Sequence, residues 1–287
     1  MNCNQCPRRC NVDRDQTKGA CGMPWQPKVA KAMLHFGEEP VISGTQGSGT
    51  VFFAGCNLHC IYCQNEKISH TEAGRIVTAE ELRTIYSDLI AQGAHNINLV
   101  TPTHFVRAIR DSLLPKLSVP VVYNTSSYED PLTLQCLEGL IDVYLADLKY
   151  LDPRLSHKLS GAKDYPQVAL KAIQEMLRQT GPFHIDRHGL LTKGVLIRHL
   201  MLPGQEEDTF RVIDRVKECF GDQVMFSLMA QYTPHGDLSR FPLLQQPISE
   251  EQYQRCLSYL EENGPDYGFY QEREAATDEF LPNFSQE

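Results

Sequence analysis

Three cysteines, Cys56, Cys60 and Cys63, lie in Phe52-Phe53-Ala54-Gly55-Cys56-Asn57-Leu58-His59-Cys60-Ile61-Tyr62-Cys63-Gln64-Asn65, directly after a short apolar run of β type. The spacing C-x3-C-x2-C puts three thiolates on one tight loop, with an aromatic residue just before the last of them. Iron–sulfur clusters take cysteine ligands. Three thiolates can therefore hold three irons of a [4Fe–4S] cube and leave the fourth iron open for chemistry. Two other readings fit parts of the loop. A zinc site needs a fourth ligand, from His59, His70 or farther off. Three unrelated thiols can also simply be buried, since free cysteine is a common core residue. Neither accounts for the uneven spacing, the preceding strand and the aromatic together, and structural context is what supports a motif.

A second set precedes the first. Cys3, Cys6, Cys10 and Cys21 are spaced C-x2-C-P-x2-C-x10-C, which matches the ligand count of a structural zinc or of a second cluster. A segment this small rarely builds an apolar core, so a metal staple would supply its order. The alternative is an exposed, reduced cysteine-rich tail. The metal's identity stays open between iron–sulfur, single iron and zinc, because Pro7 after Cys6 is not the placement of ferredoxin runs. Residues 1–45 are read as a cysteine-rich metal-binding segment with its linker, and 46–287 as the core domain. The linker carries Glu38-Glu39-Pro40 and Ser43-Gly44-Thr45-Gln46-Gly47-Ser48-Gly49-Thr50. Such glycines can cradle phosphate at a helix N-terminus. Here no Gly-Lys-Ser/Thr ending follows and the next element is a strand, so the segment reads as a turn.

The elements that must position these cysteines alternate. Strand patterns fall at Thr50–Ala54, Asn96–Val100, Val119–Tyr123, Asp142–Asp147, Gly194–Met201 and Val224–Met229. Thr78-Ala79-Glu80-Glu81 is a capping box that opens a helix to about Gln92, with Gly93 ending it. Other helical patterns run Phe105–Lys116, Pro131–Gly139, Tyr165–Gln179, Glu206–Phe220 and Ser249–Asn263. Six strand–helix units with apolar strands predict an α/β fold, a parallel sheet covered by helices. The cysteine loop then falls beyond the C-terminal end of the first strand, where such folds place their chemistry.

The chain has 287 residues and a net charge of −9, with no run of lysine or arginine. That composition argues against nucleic acid or an anionic membrane as partner. No apolar stretch approaches the ~18–20 residues of a membrane span, and the N-terminus has no apolar signal segment. Ten cysteines in an unexported chain read as metal ligands and not as disulfides. The expectation is a cytoplasmic, iron-binding protein.

The cysteine loop resembles the cluster motif of the radical S-adenosylmethionine (SAM) superfamily. The Cys-x2-Cys-Pro-Arg-Arg-Cys segment, the Glu-Glu-Pro and Gly-Ser-Gly-Thr turns and the Gly-Cys-Asn-Leu-x-Cys-x-Tyr-Cys-Gln-Asn loop together resemble one subgroup. It comprises relatives of pyruvate formate-lyase activating enzyme with a cysteine-rich N-terminus, and the likeness spans nearly the whole chain. The resemblance implies a partial (β/α)6 barrel whose open iron chelates the amino and carboxylate groups of SAM. One electron then cleaves the sulfonium to a 5′-deoxyadenosyl radical that abstracts hydrogen from a substrate. It also implies an electron donor such as flavodoxin or ferredoxin, and a glycyl-radical enzyme or a peptide as substrate.

Further carry-overs are local. Asp147-Leu148-Lys149 looks like the Asp-x-Lys of the activating enzymes, and Arg198-His199-Leu200-Met201-Leu202-Pro203-Gly204 like their fifth-strand segment. Lys149 can meet a carboxylate, Asp147 can order the site or hold a cation, and Arg198 and His199 offer donors for ribose or carboxylate. Tyr62 can lay an apolar face on the adenine. An Asp/Lys pair two apart on a strand shares one face, so Asp147 and Lys149 can equally form an internal ion pair. The sequence departs from the family at the second strand, where Thr101-Pro102-Thr103 stands in place of a Gly-Gly-Glu turn. Thr101 and Thr103 would then accept from the SAM ammonium. The third strand ends Asn124-Thr125-Ser126, where Thr-Asn-Gly is more typical, and Gln231 follows the sixth strand at the barrel mouth. Three functions remain: a glycyl-radical activating enzyme, a radical SAM modifier of a peptide or small molecule, and a non-catalytic metal-binding protein.

Overall fold

The computed structural model describes residues 2–271 and Phe284. In chain order its strands and helices are β1 (Lys28–His35), α1 (Pro40–Ser43), β2 (Ser48–Phe53), α2 (Glu66–Ser69), β3 (Arg75–Ile76), α3 (Ala79–Ala91), β4 (Ile97–Val100) and α4 (Val106–Ser112). There follow β5 (Val121–Thr125), α5 (Pro131–Leu134), β6 (Val143–Asp147), α6 (Pro153–Ser160), α7 (Tyr165–Thr180), β7 (His184–Ile185) and β8 (Leu191–Leu200). The last are α8 (Glu206–Phe220), β9 (Met225–Met229), α9 (Glu250–Asn263) and β10 (Gly268–Tyr270).

All six expected strands form, as β2, β4, β5, β6, β8 and β9, each parallel to its neighbour in that order. β10 adds a further parallel strand beside β9, while β1 and β3 extend the other end antiparallel. The two ends do not meet, so the sheet is a partial barrel and not a closed one. Strands buried on both faces tend to apolar runs; β2 has all six residues buried, with Val51, Phe52 and Phe53 as its apolar half. The capping box at the start of α3 is present, with Thr78 accepting from the Glu81 N–H and Glu81 from the Thr78 N–H.

Two cores result. The outer one lies between sheet and helices and joins Phe53, Leu99, Tyr123, Tyr144 and Ile197 to Leu82, Ile109, Ile173 and Ile213. The inner one fills the barrel's N-terminal end, where Val41 and Ile42 of α1 pack on Val122, Val143, Leu145, Leu196 and Met225. Strand alternation puts these sheet residues on the same face as Asn124, Asp147 and Arg198. The linker therefore does more than turn: it contributes β1 to the sheet and α1 as a plug under the barrel. β1 escapes a pattern search because its alternation is broken, with a register irregularity between Val29 and Lys31. α6 was likewise not expected. The end of the 46–287 segment lies outside the described residues. Among those described, no helix is long and apolar enough to cross a membrane.

Candidate active site

The loop after β2 turns sharply. Gly55 has φ +77°, and a Cβ there would fall 2.4 Å from Met23 Cγ and 2.6 Å from the Cys21 carbonyl oxygen. Only glycine tolerates both the left-handed backbone and that approach. Cys56, Cys60 and Cys63 follow and line one cavity at the C-terminal end of the parallel strands. All three are free thiols.

Each of these sulfurs has a hydrogen-bonding neighbour. The Leu58 N–H donates to Cys56 Sγ at 3.3 Å, the Ser160 hydroxyl to Cys60 Sγ at 3.0 Å, and Ser69 Oγ lies 3.3 Å from Cys63 Sγ. Burial pushes the Cys60 thiol up to about 12 and raises that of Cys63. A bound cation would reverse that, since a coordinating thiol is deprotonated outright. Among the described residues, no group of three or more His, Cys, Asp or Glu side chains stands in ready-made ion-binding geometry. The donor set nevertheless fits the cluster: three free thiols on one short loop, facing one cavity, with room beside them for a ligand.

The remaining lining is polar and tightly linked. Arg198 Nε donates to Asp147 Oδ1 at 2.9 Å, Nη1 to Glu38 Oε2 at 3.0 Å and Nη2 to Asn124 Oδ1 at 2.7 Å. Lys149 Nζ donates to Asp147 Oδ2 at 2.7 Å. Glu38 Oε1 accepts from Asn98 and Asn124 at 3.0 and 3.1 Å. Burial alone would raise the Asp147 carboxyl, but Lys149 and Arg198 outweigh it and hold the carboxyl below its usual range. Burial likewise opposes the Arg198 and Lys149 charges, and Asp147 reverses it in both, so both stay cationic.

Of the residues singled out from sequence, Tyr62, Thr101, Asn124, Asp147, Lys149, Arg198 and Gln231 line the cavity with the three cysteines. Asp147 and Lys149 do form an ion pair, and do so on the cavity wall. The Tyr62 hydroxyl is 2.5 Å from that of Tyr150, which contacts Ser160. Thr103 and His199 point elsewhere. Thr103 is buried and donates to Glu129 Oε1 at 2.5 Å. His199 is buried between the Leu148 carbonyl, at 2.7 Å, and Thr209 Oγ1, at 3.0 Å. Sequence reasoning missed Glu38, Ser69 and Ser160. Glu38 had a signal in Glu-Glu-Pro, but only the plug places it under Arg198.

The four N-terminal cysteines are also free, with Cys3, Cys6 and Cys21 buried and Cys10 partly so. Burial raises the Cys6 thiol to about 11, and neighbouring Cys21 adds to it. Burial raises Cys21 too, with Cys3 and Cys10 adding. Cys21 thus sits within electrostatic reach of each of the other three thiols.

Residues 50–216 match the sequence profile of the radical SAM superfamily, and the chain belongs to that superfamily. Its chemistry is therefore that of a [4Fe–4S] cluster and SAM, with reductive SAM cleavage and a need for a reductant. The chain is similar to the uncharacterised protein MJ0674 of Methanocaldococcus jannaschii, 28% identical over 273 residues that span 91% of this chain and 74% of that one. A shorter stretch of 67 residues is 40% identical to 7-carboxy-7-deazaguanine synthase of Methanothermobacter thermautotrophicus, covering 21% and 27% of the two chains. Among solved structures, Streptococcus suis SuiB bound to S-adenosylmethionine superposes with TM-score 0.51 at 14% identity. The match covers 76% of this chain and 48% of SuiB, so the chain spans about half of that protein. A mutant of spore photoproduct lyase gives TM-score 0.52 at 11% identity over 84% and 80% of the two chains. At such identities these likenesses show the fold alone.

Proposed function

We propose that this chain is an activating-type radical SAM enzyme that takes a hydrogen atom from the backbone of a polypeptide substrate, generating a glycyl radical on a partner protein. The cavity's division of labour supports this. Its charged groups, Glu38, Asp147, Lys149 and Arg198, are tied to one another, while Gln64, Asn65, Ser126, Gln231 and Thr233 offer neutral amides and hydroxyls. Neutral groups that both donate and accept suit the alternating N–H and C=O of a peptide chain.

When bound at Cys56, Cys60 and Cys63, the cluster supplies the electron that cleaves SAM. The chain's own residues bind and orient. Lys149 and Arg198 present cationic donors to the SAM carboxylate or ribose, Thr101 an acceptor to its ammonium, and Tyr62 an apolar ring face to its adenine. A flavodoxin or ferredoxin is the reductant in this reading. The four N-terminal cysteines would hold a separate site, iron–sulfur, iron or zinc, for which their number supplies the ligand count.

The test separates a polypeptide from a small molecule. The reconstituted enzyme is incubated with SAM, reductant and size-fractionated extract of cells grown on deuterated glycine, and deuterium is sought in 5′-deoxyadenosine. Transfer from the protein fraction is expected. Transfer confined to the low-mass fraction overturns the reading in favour of a small-molecule modifier.

A further inference from the structure

The N-terminal cysteine-rich segment lies against the cluster loop at nearly every residue from 55 to 59. Gly55 meets Cys21 and Met23. His59 Nε2 is 2.6 Å from the Ala20 carbonyl oxygen. The Asn57 amide donates to the Tyr128 carbonyl at 2.8 Å, and its side chain also hydrogen-bonds the Cys6 thiol. The centre of this contact is Arg8, between Cys6 and Cys10. Its Nε donates to the Asn57 carbonyl at 2.7 Å and its Nη2 to the Leu58 carbonyl at 3.3 Å. The other side of the same guanidinium reaches the end of α6, with Nη1 on the Gly161 carbonyl at 2.9 Å and Nη2 on that of Ser160 at 3.3 Å. The Tyr128 ring lies beneath it, 5.3 Å from centroid to guanidinium carbon.

We infer that Arg8 is a positioning residue for the cluster, fixing the hydrogen bonds that two of its three thiolates receive. The Asn57 carbonyl and the Leu58 N–H belong to one planar peptide group, so an anchor on the oxygen aims the N–H. That N–H is the one pointing at Cys56 Sγ. Carbonyls at a helix C-terminus lack partners within the helix. Arg8 takes two of them at the end of α6, and so holds in place Ser160, whose hydroxyl donates to Cys60 Sγ. One guanidinium fork thus sets both donors, a geometry that a lysine ammonium cannot reproduce. Hydrogen bonds to the sulfurs are among the determinants of an iron–sulfur potential. They stabilise the more negative, reduced cluster, so Arg8 raises the potential at which it accepts an electron.

This inference rests on the cluster being held at Cys56, Cys60 and Cys63. Its test uses the full chain as wild type, Arg8→Ala and Arg8→Lys, in two arms. In the reconstituted proteins the cluster midpoint potential is measured by spectroscopic titration. In the metal-free proteins the alkylation rates of Cys56 and Cys60 are followed by mass spectrometry. Arg8→Ala is expected to lower the potential and to speed alkylation of both cysteines several-fold. Arg8→Lys is expected to recover only part of each change, and its own shift carries the test if the alanine variant does not fold. An unchanged potential together with unchanged alkylation overturns the assignment. A wild type that assembles no cluster sinks the cluster reading instead, while the alkylation arm still reports on the clamp.

Discussion

Asp147 and Arg198 face each other as direct Cα partners on the parallel strands β6 and β8, and Arg198 Nε donates to Asp147 Oδ1 across that gap. The pairing closes a chain of contacts from Lys149 through Asp147 and Arg198 to Glu38. Breaking a largely buried ion pair from one side leaves the partner uncompensated, at about 3–5 kcal/mol. Arg198→Ala should therefore lower the melting temperature sharply. Arg198→Lys should recover only part of the loss, since an ammonium cannot span Asp147, Glu38 and Asn124 together. Equal stability of the lysine variant and the wild type in thermal unfolding would contradict the bridging role.

Single substitution of Cys56, Cys60 or Cys63 by alanine should abolish the catalytic cluster and leave the barrel folded. The loop joins the outer core through Leu58, Cys60 and Tyr62, but most of that core comes from the strands and helices, so a lost ligand harms chemistry before fold. Iron and sulfide counts, circular dichroism and 5′-deoxyadenosine yield provide the check. Full 5′-deoxyadenosine production by any of the three would refute the ligand set.

Thr101 and Thr103 should separate cleanly. Thr101 lines the cavity, whereas the Thr103 hydroxyl is committed to Glu129. A hydrogen bond to a charged group contributes about 1.5–3 kcal/mol. Thr101→Val should weaken SAM binding by roughly tenfold or more, where 1.4 kcal/mol is tenfold. Thr103→Val should instead lower stability by about 1–3 kcal/mol with SAM affinity intact. Isothermal titration and thermal melts on both variants decide, and a SAM effect confined to Thr103→Val would reverse the assignment.

Glu129 supplies a pH signature. Burial raises its carboxyl to about 7, against the pull of the Thr103, Thr125 and Tyr123 hydroxyls, with Asp130 adding to the rise. A carboxyl raised on folding contributes stability that is full below the unfolded value of about 4.5 and is lost as pH climbs through 7. At one pKa unit per 1.36 kcal/mol the loss by pH 8 is at most about 3 kcal/mol. Glu129→Gln cannot ionise, so its melting temperature should gain on the wild type between pH 5 and pH 8. A constant difference across that range would count against a buried, titrating carboxyl.

The parallel strands, the cysteine loop and the long helices α3, α7, α8 and α9 were legible because each carries local chemistry. Apolar runs, helical patterns and a capping box mark them directly. β1 was not, since its residues alternate poorly and its pairing is set by β2 across a long linker. In the site, Asp147, Lys149 and Arg198 could be found because Asp-x-Lys and the Arg-x4-Pro-Gly segment resemble those of the activating enzymes, and Asp147 and Lys149, two apart, share one face. Ser160 and Glu38 carry no comparable signal. Ser160 reaches Cys60 from 100 positions away and Glu38 reaches Arg198 across 160, so only the folded chain brings them together. Thr103 shows the converse: a neighbour two residues from a cavity residue can face the opposite side of the sheet.

The plug under the barrel also bears on the order of events. With Val41 and Ile42 packed into the N-terminal end of the lumen, the proposed function would bring SAM and its substrate to one mouth at the other end, beside the cysteines. A shared entrance fills in sequence. On the proposed function the smaller guest would seat itself before a polypeptide stoppers the opening, and its spent fragments would stay inside until that stopper is withdrawn. Turnover would then be paced by undocking of the partner, and excess substrate protein would slow the exchange of SAM.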